Sequence, residues 1–585
     1  MCLPGFATKR AEKQSQIYSE TSLNGPSQIT PNITETTGSV DQFAVGEIDA
    51  SPLLNRTLTY ENNTRNVDGR PPTPRESEID REEATMDLQA INWEHHGPGS
   101  WLSICSTPGV QWVSAKAGTT RFHEIAQRLV VGWTKRLTLS SDTIRERCPE
   151  PGIENAWKYV SAYFENSRDS VFGVVLRSSF ESRLRIHFQN ASRPDEDVAW
   201  YALRNAVYAI GRRVAVSVDG TRDFAEIQSE SLRFFHNAFS ALVVMVFTQT
   251  SFAELLGSPA VEYMLCASAV RLAQSKGLHR QPSRAWNLPR SEVVHRNWVF
   301  WASYCYDKNI ALRSGRPSAF DDDEISCEIP NELPDGSRSD IQVVIAAIEH
   351  AKICAKISKQ LLSARAFNQS PKSLLDTMET LEDKLRMWRN SLPDHLTLAK
   401  QNDYRPLNNS SQCKANTLRL HYLYWGSVIA LNANFHYPWI SSLLTRQEPF
   451  LEDRMLKSST RAAEASRQIL WTLQDTELDT SSSSPIVFYF PMLAVINLFI
   501  YILQTPTLET VESDLALLDL AAGHFAKVHF LTSSQVSFTF AREIVGLANK
   551  AVRMATKVAP RSTNRSSAYS PDPFSVNMSG EPVSL

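Results

Sequence analysis

The sequence has no paired cysteines. Its eight cysteines, Cys2, Cys105, Cys148, Cys266, Cys305, Cys327, Cys354 and Cys413, are scattered, and no two lie within five residues of each other. A structural zinc site draws thiolates onto one ion and usually takes them from close sequence pairs. No C-x-x-C knuckle or compact zinc cluster can be drawn, so no metal ligand is assigned. Sparse cysteines suit a reducing compartment. Cys266 and Cys305, on apolar helical faces, read as small core residues. An apolar leader is also missing. Met1–Arg10 is polar and carries Pro4 and Gly5, so no signal peptide is expected. Without a secretory route, the sequons at Asn32, Asn62 and Asn564 carry no weight.

Positive charge is scarce where a DNA-binding arm would need it. The whole chain carries a net charge of −3 over 585 residues, and residues 1–90 hold eight Lys and Arg against fourteen Asp and Glu. Phosphate neutralisation dominates affinity for nucleic acid, so an arm of this sign is a poor DNA ligand. Catalytic signatures are missing too. His123–Glu124 starts like a zincin, but position 127 is Gln, so two histidines cannot share a helix face. Lys116–Ala117–Gly118–Thr119 lacks the Gly-Lys-Ser/Thr order of a phosphate loop. The adjacent His95–His96 point apart, and no nucleophile elbow is present. No catalytic or cofactor-binding residue is assigned, and the chain is not expected to be an enzyme. An enzyme on a helical scaffold is kept as a remote alternative.

What is present is ordinary globular material, 42% hydrophobic and 21% charged, with length enough for a sizeable core. Residues 1–90 are rich in Ser, Thr, Asn, Glu and Pro without an apolar period, and are expected to be a disordered acidic arm. Residues 557–585 repeat that character as a second tail. Between them, helical periodicity is read over 120–138, 154–165, 197–217, 228–249, 259–276, 291–313, 340–366, 371–391, 415–436, 457–475, 485–504, 511–531 and 537–556. Strand-like alternation is rare, so the fold class is all-α.

Residues 485–503, PIVFYFPMLAVINLFIYIL, are long enough to cross a bilayer. Pro491, Asn497 and the acidic flanks argue instead for a buried core helix, and no membrane partner is expected. In 259–276, Val261, Met264, Leu265, Ser268, Ala269, Leu272 and Ala273 predict one continuous stripe, with Gly277 as a left-handed cap on which Leu278 folds back. The next helix is expected to open near Ser291 with Glu292 at its N-terminus. It carries two apolar faces: Val294, Trp298, Trp301, Ala302 and Cys305 on one, and Val293, Phe300 and Tyr304 on the other. Such a helix belongs between layers at the centre of the domain.

Four spaced elements stand out in Val261–Pro330. They are Ala269–Val270–Arg271–Leu272–Ala273, then Gly277–Leu278–His279, then Phe300–Trp301 with Asp307, and then Gly315–Arg316–Pro317. As an ordered set they resemble the fungal-specific transcription factor domain, the middle homology region of zinc binuclear cluster regulators. Gly97–Pro98–Gly99–Ser100–Trp101 with Trp112, and His421–Tyr422–Leu423–Tyr424 up to Phe435, extend the resemblance to about 95–555. The resemblance implies a multi-helix regulatory domain, taken as residues 91–556, acting in the nucleus on RNA polymerase II genes of a metabolic or secondary-metabolite cluster. Two departures stand beside it. Only Arg296 precedes the Phe-Trp pair where several arginines are usual. The six-cysteine zinc module is also absent, so zinc is expected only if an upstream cluster exists.

DNA is therefore expected to be reached indirectly, through other transcription regulators or a missing upstream module. The resemblance also admits a homodimer and a small-molecule effector as partners. A non-DNA-binding effector-sensing or interaction protein is the alternative. The motif residues Arg271, Gly277, His279, Phe300, Trp301, Asp307, Gly315, Arg316 and Pro317 are read as structural, with an effector link as the competing reading. Asp307, among aromatics, needs partners because a buried carboxylate is costly alone. Arg316 or backbone N–H groups of the Ser314–Pro317 turn are expected to supply them. His279 is read as a satisfied helix-end histidine, and Arg313 and Arg316 as partners of core carboxylates.

Overall fold

The computed structural model describes residues 97, 99–134, 148–167, 173–189, 197–215, 224–240, 259–334, 340–397, 411–445, 451–474, 485–531 and 539–558. The acidic arm 1–90 lies outside the described residues, as does the tail beyond Val558. Sixteen α-helices and no strand are found among the described residues. They are α1 (Thr107–Ala117), α2 (Arg121–Thr134), α3 (Ile153–Asn166), α4 (Arg177–Gln189), α5 (Val198–Ala215), α6 (Phe224–Ser240), α7 (Pro259–Ser275) and α8 (Arg290–Ser314). Then follow α9 (Ile341–Leu361), α10 (Pro371–Asn390), α11 (Ser411–His436), α12 (Pro438–Thr445), α13 (Glu452–Trp471), α14 (Phe490–Gln504), α15 (Val511–Leu531) and α16 (Thr539–Val558).

Three of these were not read from periodicity. In α4 only Phe180 and Leu184 are buried, so its stripe is too narrow to register. For α1 the apolar period is weak, but the start signals are clear. Ser106 caps it through Oγ, which accepts from the Gly109 N–H at 3.3 Å, and Pro108 sits in its first turn. The third, α12, has only eight residues.

Two hydrophobic cores organise the helices. The first is built from α3–α8 and one face of α9, with Tyr163, Tyr208, Phe235, Trp298 and Phe300 fully enclosed. The second gathers α10–α16. It also takes in Trp101, Ile104, Val113 and Phe122, so the earliest described segment packs with the last helices. Arg128 pairs with Glu543 at 2.5 Å, Lys550 Nζ donates to the Gly118 carbonyl at 3.1 Å, and Phe122 and Phe499 have ring centroids 6.4 Å apart. Helix α9 serves both cores. Val344, Ala347, Ile348 and Ala351 face the first, and Val343, Ala346, Ile353, Ile357 and Leu361 the second.

The apolar run is a core helix. Ile486–Gln504 is long and apolar enough to cross a membrane, but 89% of it is buried within the fold. A π-helical turn, Pro485–Tyr489, leads directly into α14, and Pro491 follows it, where the widened turn accommodates a residue without an N–H. Asn497, fully buried, turns its amide back onto the Leu493 carbonyl at 2.7 Å.

Candidate functional site

The motif residues converge on α8 and the two segments that bracket it. From Phe300 to Lys308 every residue of α8 is buried, so the expected two apolar faces become enclosure all round. Ser291 does not cap the helix. Pro289 holds the N-cap position without a side-chain bond, and Glu292 alone meets the positive end. Phe300 (0% exposed) stands edge-on to Trp301 (3% exposed) at 5.0 Å and to Phe320 at 5.3 Å. The Trp301 indole donates to the Glu328 carbonyl at 2.8 Å, and the Trp298 indole to the Glu332 carbonyl at 2.8 Å. The extended segment after α8 is thereby tied back along it.

Asp307 is bonded one step further along the chain than expected. Its carboxylate accepts from Ser318 Oγ at 2.5 Å, Ala319 N at 3.0 Å and Phe320 N at 3.4 Å, not from the Ser314–Pro317 turn or Arg316. Lys308, also buried, donates to Ser318 Oγ and the Phe320 carbonyl, each at 2.8 Å, and pairs with Asp322 at 2.8 Å. Burial pushes the Asp307 carboxyl above its ordinary range, and the Ser318 and Ala319 donors pull it back. Adjacent residues on α8 thus hold the 318–322 strap through opposite charges.

The two arginines of the motif turn diverge. Arg313 pairs with the buried carboxylate of Glu262 on α7. The Arg316 guanidinium lies 5.2 Å over the Tyr263 ring, and the Tyr263 hydroxyl donates to the Pro317 carbonyl at 2.9 Å. Gly315 closes α8 in the left-handed region at φ 67°. It touches another glycine, since a Cβ there would sit 2.5 Å from Gly97 Cα. The Gly97 N–H donates to the Ser314 carbonyl at 3.3 Å.

At the other end of the site, Gly277 (φ 65°) ends α7 as expected. Its N–H reaches the Gln274 carbonyl and the Leu278 N–H the Ala273 carbonyl, both at 2.9 Å, which is the bonding of a Schellman cap. The buried stripe of α7, however, is Glu262, Leu265, Cys266, Ala269, Val270 and Ala273, rotated by one residue from the expected one. Met264 is 64% exposed. His279 acts through its backbone. Its carbonyl accepts from Ser326 N at 3.0 Å and Cys327 N at 3.1 Å, while ring Nδ1 is buried without a hydrogen-bond partner. Arg271 is exposed and bonds Gln274 at 3.2 Å, so it takes no part in the strap.

Where α8, α9, α11 and α14 meet lies a polar cluster that sequence reading missed. His350 Nε2 is 3.0 Å from the Leu423 carbonyl and 2.9 Å from Ser427 Oγ, and Cys354 Sγ is 3.4 Å from His350 Nδ1. Burial pushes the His350 imidazole down to about 4 and the Cys354 thiol up to about 12. A partly open cleft of about 30 Å³ beside His350 and Ser427 is lined by Trp101, Asn309, Arg313 and Tyr489. That is room for about two waters. A protonated thiol and an unprotonated imidazole in so small a space hold helices together and offer no nucleophile. The i, i+4 spacing of His350 and Cys354 was the available signal, but Ser427 is 77 residues away. Among the described residues, no group of three His, Cys, Asp or Glu could hold a metal ion.

Residues 160–390 match the family model described as Fungal specific transcription factor domain. An ABC-transporter-regulating transcription factor of Aspergillus oryzae is 27% identical over 546 residues, covering 85% of this chain and 58% of the relative. A protein of the same name from Aspergillus fumigatus is 27% identical over 515 residues, covering 80% of this chain and 55% of the relative. The fusaridione A cluster transcription factor of Fusarium heterosporum is 24% identical over 411 residues, covering 66% of this chain and 74% of the relative. The chain spans a little more than half the length of the two Aspergillus relatives. No solved structure matches it.

Proposed function

We propose that this chain, which carries a fungal-specific transcription factor domain over residues 160–390, is a nuclear regulator of RNA polymerase II transcription. The observation that carries the reading is the joint one. Most of the ordered motif, from Phe300 to Pro317, lies on one largely buried helix and the turn that follows it, and the relatives aligned along most of the chain are named transcription factors. Two of those names speak of regulating an ABC transporter and one of a fusaridione A cluster, so the proposed targets are genes of metabolism, secondary metabolism or export. The reading as a non-enzyme rests on the same relatives. It is supported by Asp307, Trp301 and the His279 carbonyl, whose polar atoms are engaged in holding the segment that follows α8.

In this reading DNA is contacted from outside residues 1–585, by a partner regulator or by a zinc module encoded upstream. Two experiments test it. Fused to an unrelated DNA-binding domain, the chain is expected to change transcription of a reporter bearing the matching site. A nuclear fusion that leaves the reporter unchanged in both directions would refute the regulator reading. The purified 585-residue protein is expected to give no sequence-specific mobility shift alone. Salt-sensitive, site-specific binding at nanomolar affinity would overturn the proposed route to DNA.

A further inference from the structure

The connector between α7 and α8 presents a rigid, positively charged surface with an aromatic residue at its tip. It is braced by the segment after α8. Besides the two bonds to the His279 carbonyl, Gln281 N donates to Ser326 Oγ at 3.2 Å and Gln281 Oε1 accepts from Glu328 N at 3.1 Å. The tip is a 3-10 turn, Arg284–Trp286, capped by Ser283 and closed by Asn287 in the left-handed region at φ 48°. Trp286 is 57% exposed although the turn holds it in place. The Arg296 guanidinium lies 5.7 Å over its ring and donates to the Lys276 carbonyl at 3.0 Å. The same side chain's Nε is buried without a hydrogen-bond partner.

Charge pairing divides this surface in two. At its edge Arg280 pairs with Glu324, and Arg290 with Glu332 at 2.5 Å. At its centre Lys276, Arg284 and Arg296 have no carboxylate within ion-pair distance among the described residues, and neither does Arg271 on the preceding turns of α7. Three cations and an exposed indole are thus gathered where the fold neutralises none of them.

We propose that Lys276, Arg284, Trp286 and Arg296 form a docking surface for an acidic peptide segment of a partner protein, one that also carries bulky apolar side chains. Carboxylates would pair with the lysine and arginines, and an apolar side chain would cover the open face of Trp286. Trp and Arg are the residues that most often dominate such contacts. A DNA backbone fits less well. The exposed Asp321, Asp323 and Glu324 adjoin the surface through the Arg280–Glu324 pair, and a phosphate chain running past would meet them. A short peptide need not extend so far. The proposal goes beyond the regulator reading and does not depend on how DNA is reached.

The test uses the full-length protein and a fluorescent synthetic peptide made of Asp, Glu, Leu and Phe, read by anisotropy. Binding that weakens with added salt is expected. It should fall about tenfold or more, or ≥1.4 kcal/mol, in Lys276→Glu/Arg284→Glu, and also fall in Trp286→Ala. All three positions are exposed, and unchanged melting of the variants verifies the fold. Arg386→Glu, an exposed charge reversal on α10, should leave binding unchanged. Four results would overturn the proposal. The first is absence of binding. The second is equal loss in Arg386→Glu. The third is tighter binding of duplex DNA through the same residues. The last is self-association that the Lys276→Glu/Arg284→Glu variant abolishes.

Discussion

Gly277 and Gly315 share nearly the same backbone, φ 65° and 67°, but not the same surroundings. A Cβ at Gly277 meets nothing within 4 Å, whereas at Gly315 it would lie 2.5 Å from Gly97 Cα and 2.6 Å from Gly97 N. Gly277→Ala should therefore cost only the left-handed penalty, about 1–2 kcal/mol. Gly315→Ala adds overlap with backbone that cannot rotate away, about 1–3 kcal/mol, and the Gly97 to Ser314 hydrogen bond, about 1 kcal/mol. A total of about 3–6 kcal/mol is expected. Denaturant midpoints followed by tryptophan fluorescence would measure both. The contact can also be approached from its other side, because a Cβ at Gly97 would fall 2.5 Å from the Gly315 carbonyl oxygen. If one contact underlies both losses, Gly97→Ala/Gly315→Ala costs less than the sum of the single variants. Equal losses for Gly277→Ala and Gly315→Ala would refute the reasoning, since only the conformational term would then be present.

Trp301→Ala should destabilise by about 3–5 kcal/mol, the usual cost of deleting a core aromatic, and also release the Glu328 carbonyl; a variant with unchanged thermal stability would remove Trp301 from the core. Stability should also fall with acidification. Burial holds His350 at about 4 and His436 at about 3, so the unfolded chain binds their protons more readily than the fold does. The contribution is full above pH 6.5 and is lost as pH falls from 6.5 toward 4, at up to about 1.4 kcal/mol per pH unit for each histidine. Asp307, shifted upward, acts in the opposite sense, so melting curves are best compared with His350→Gln, where a shallower slope is expected. Equal melting temperatures at pH 7 and pH 5 would count against the buried imidazoles.

The helical fold class and most of the helices were legible because apolar period and caps are local. Gly277 shows this at its best, with cap, residue and bonding all readable within six positions. The face of α7 shows the limit. Met264 and Ser268 fit the stripe as well as Glu262 and Cys266 do, and a carboxylate does not read as core until Arg313, 51 residues away, is seen to meet it. Asp307 was recognised as needing partners, but its donors come from Ser318 to Phe320, just past the expected turn, because the strap folds back along the helix. The Gly97 to Gly315 contact and the His350 to Ser427 bond join segments 218 and 77 residues apart, beyond any window that periodicity can scan.

The double duty of α9 bears on how the chain can be divided. A fragment cut at residues 160 and 390 would contain α9 and α10 but neither α11 nor Trp101 and Phe122. The second core, to which Val343, Ile353, Ile357 and Leu361 of α9 and Leu374, Leu381 and Leu385 of α10 belong, would then lose α11–α16 and keep little more than the packing of α9 on α10. The boundaries of sequence kinship are therefore not boundaries of autonomous folding. A clone trimmed to them would expose a sticky aliphatic wall and precipitate, while one running from about residue 95 to 558 would keep it covered.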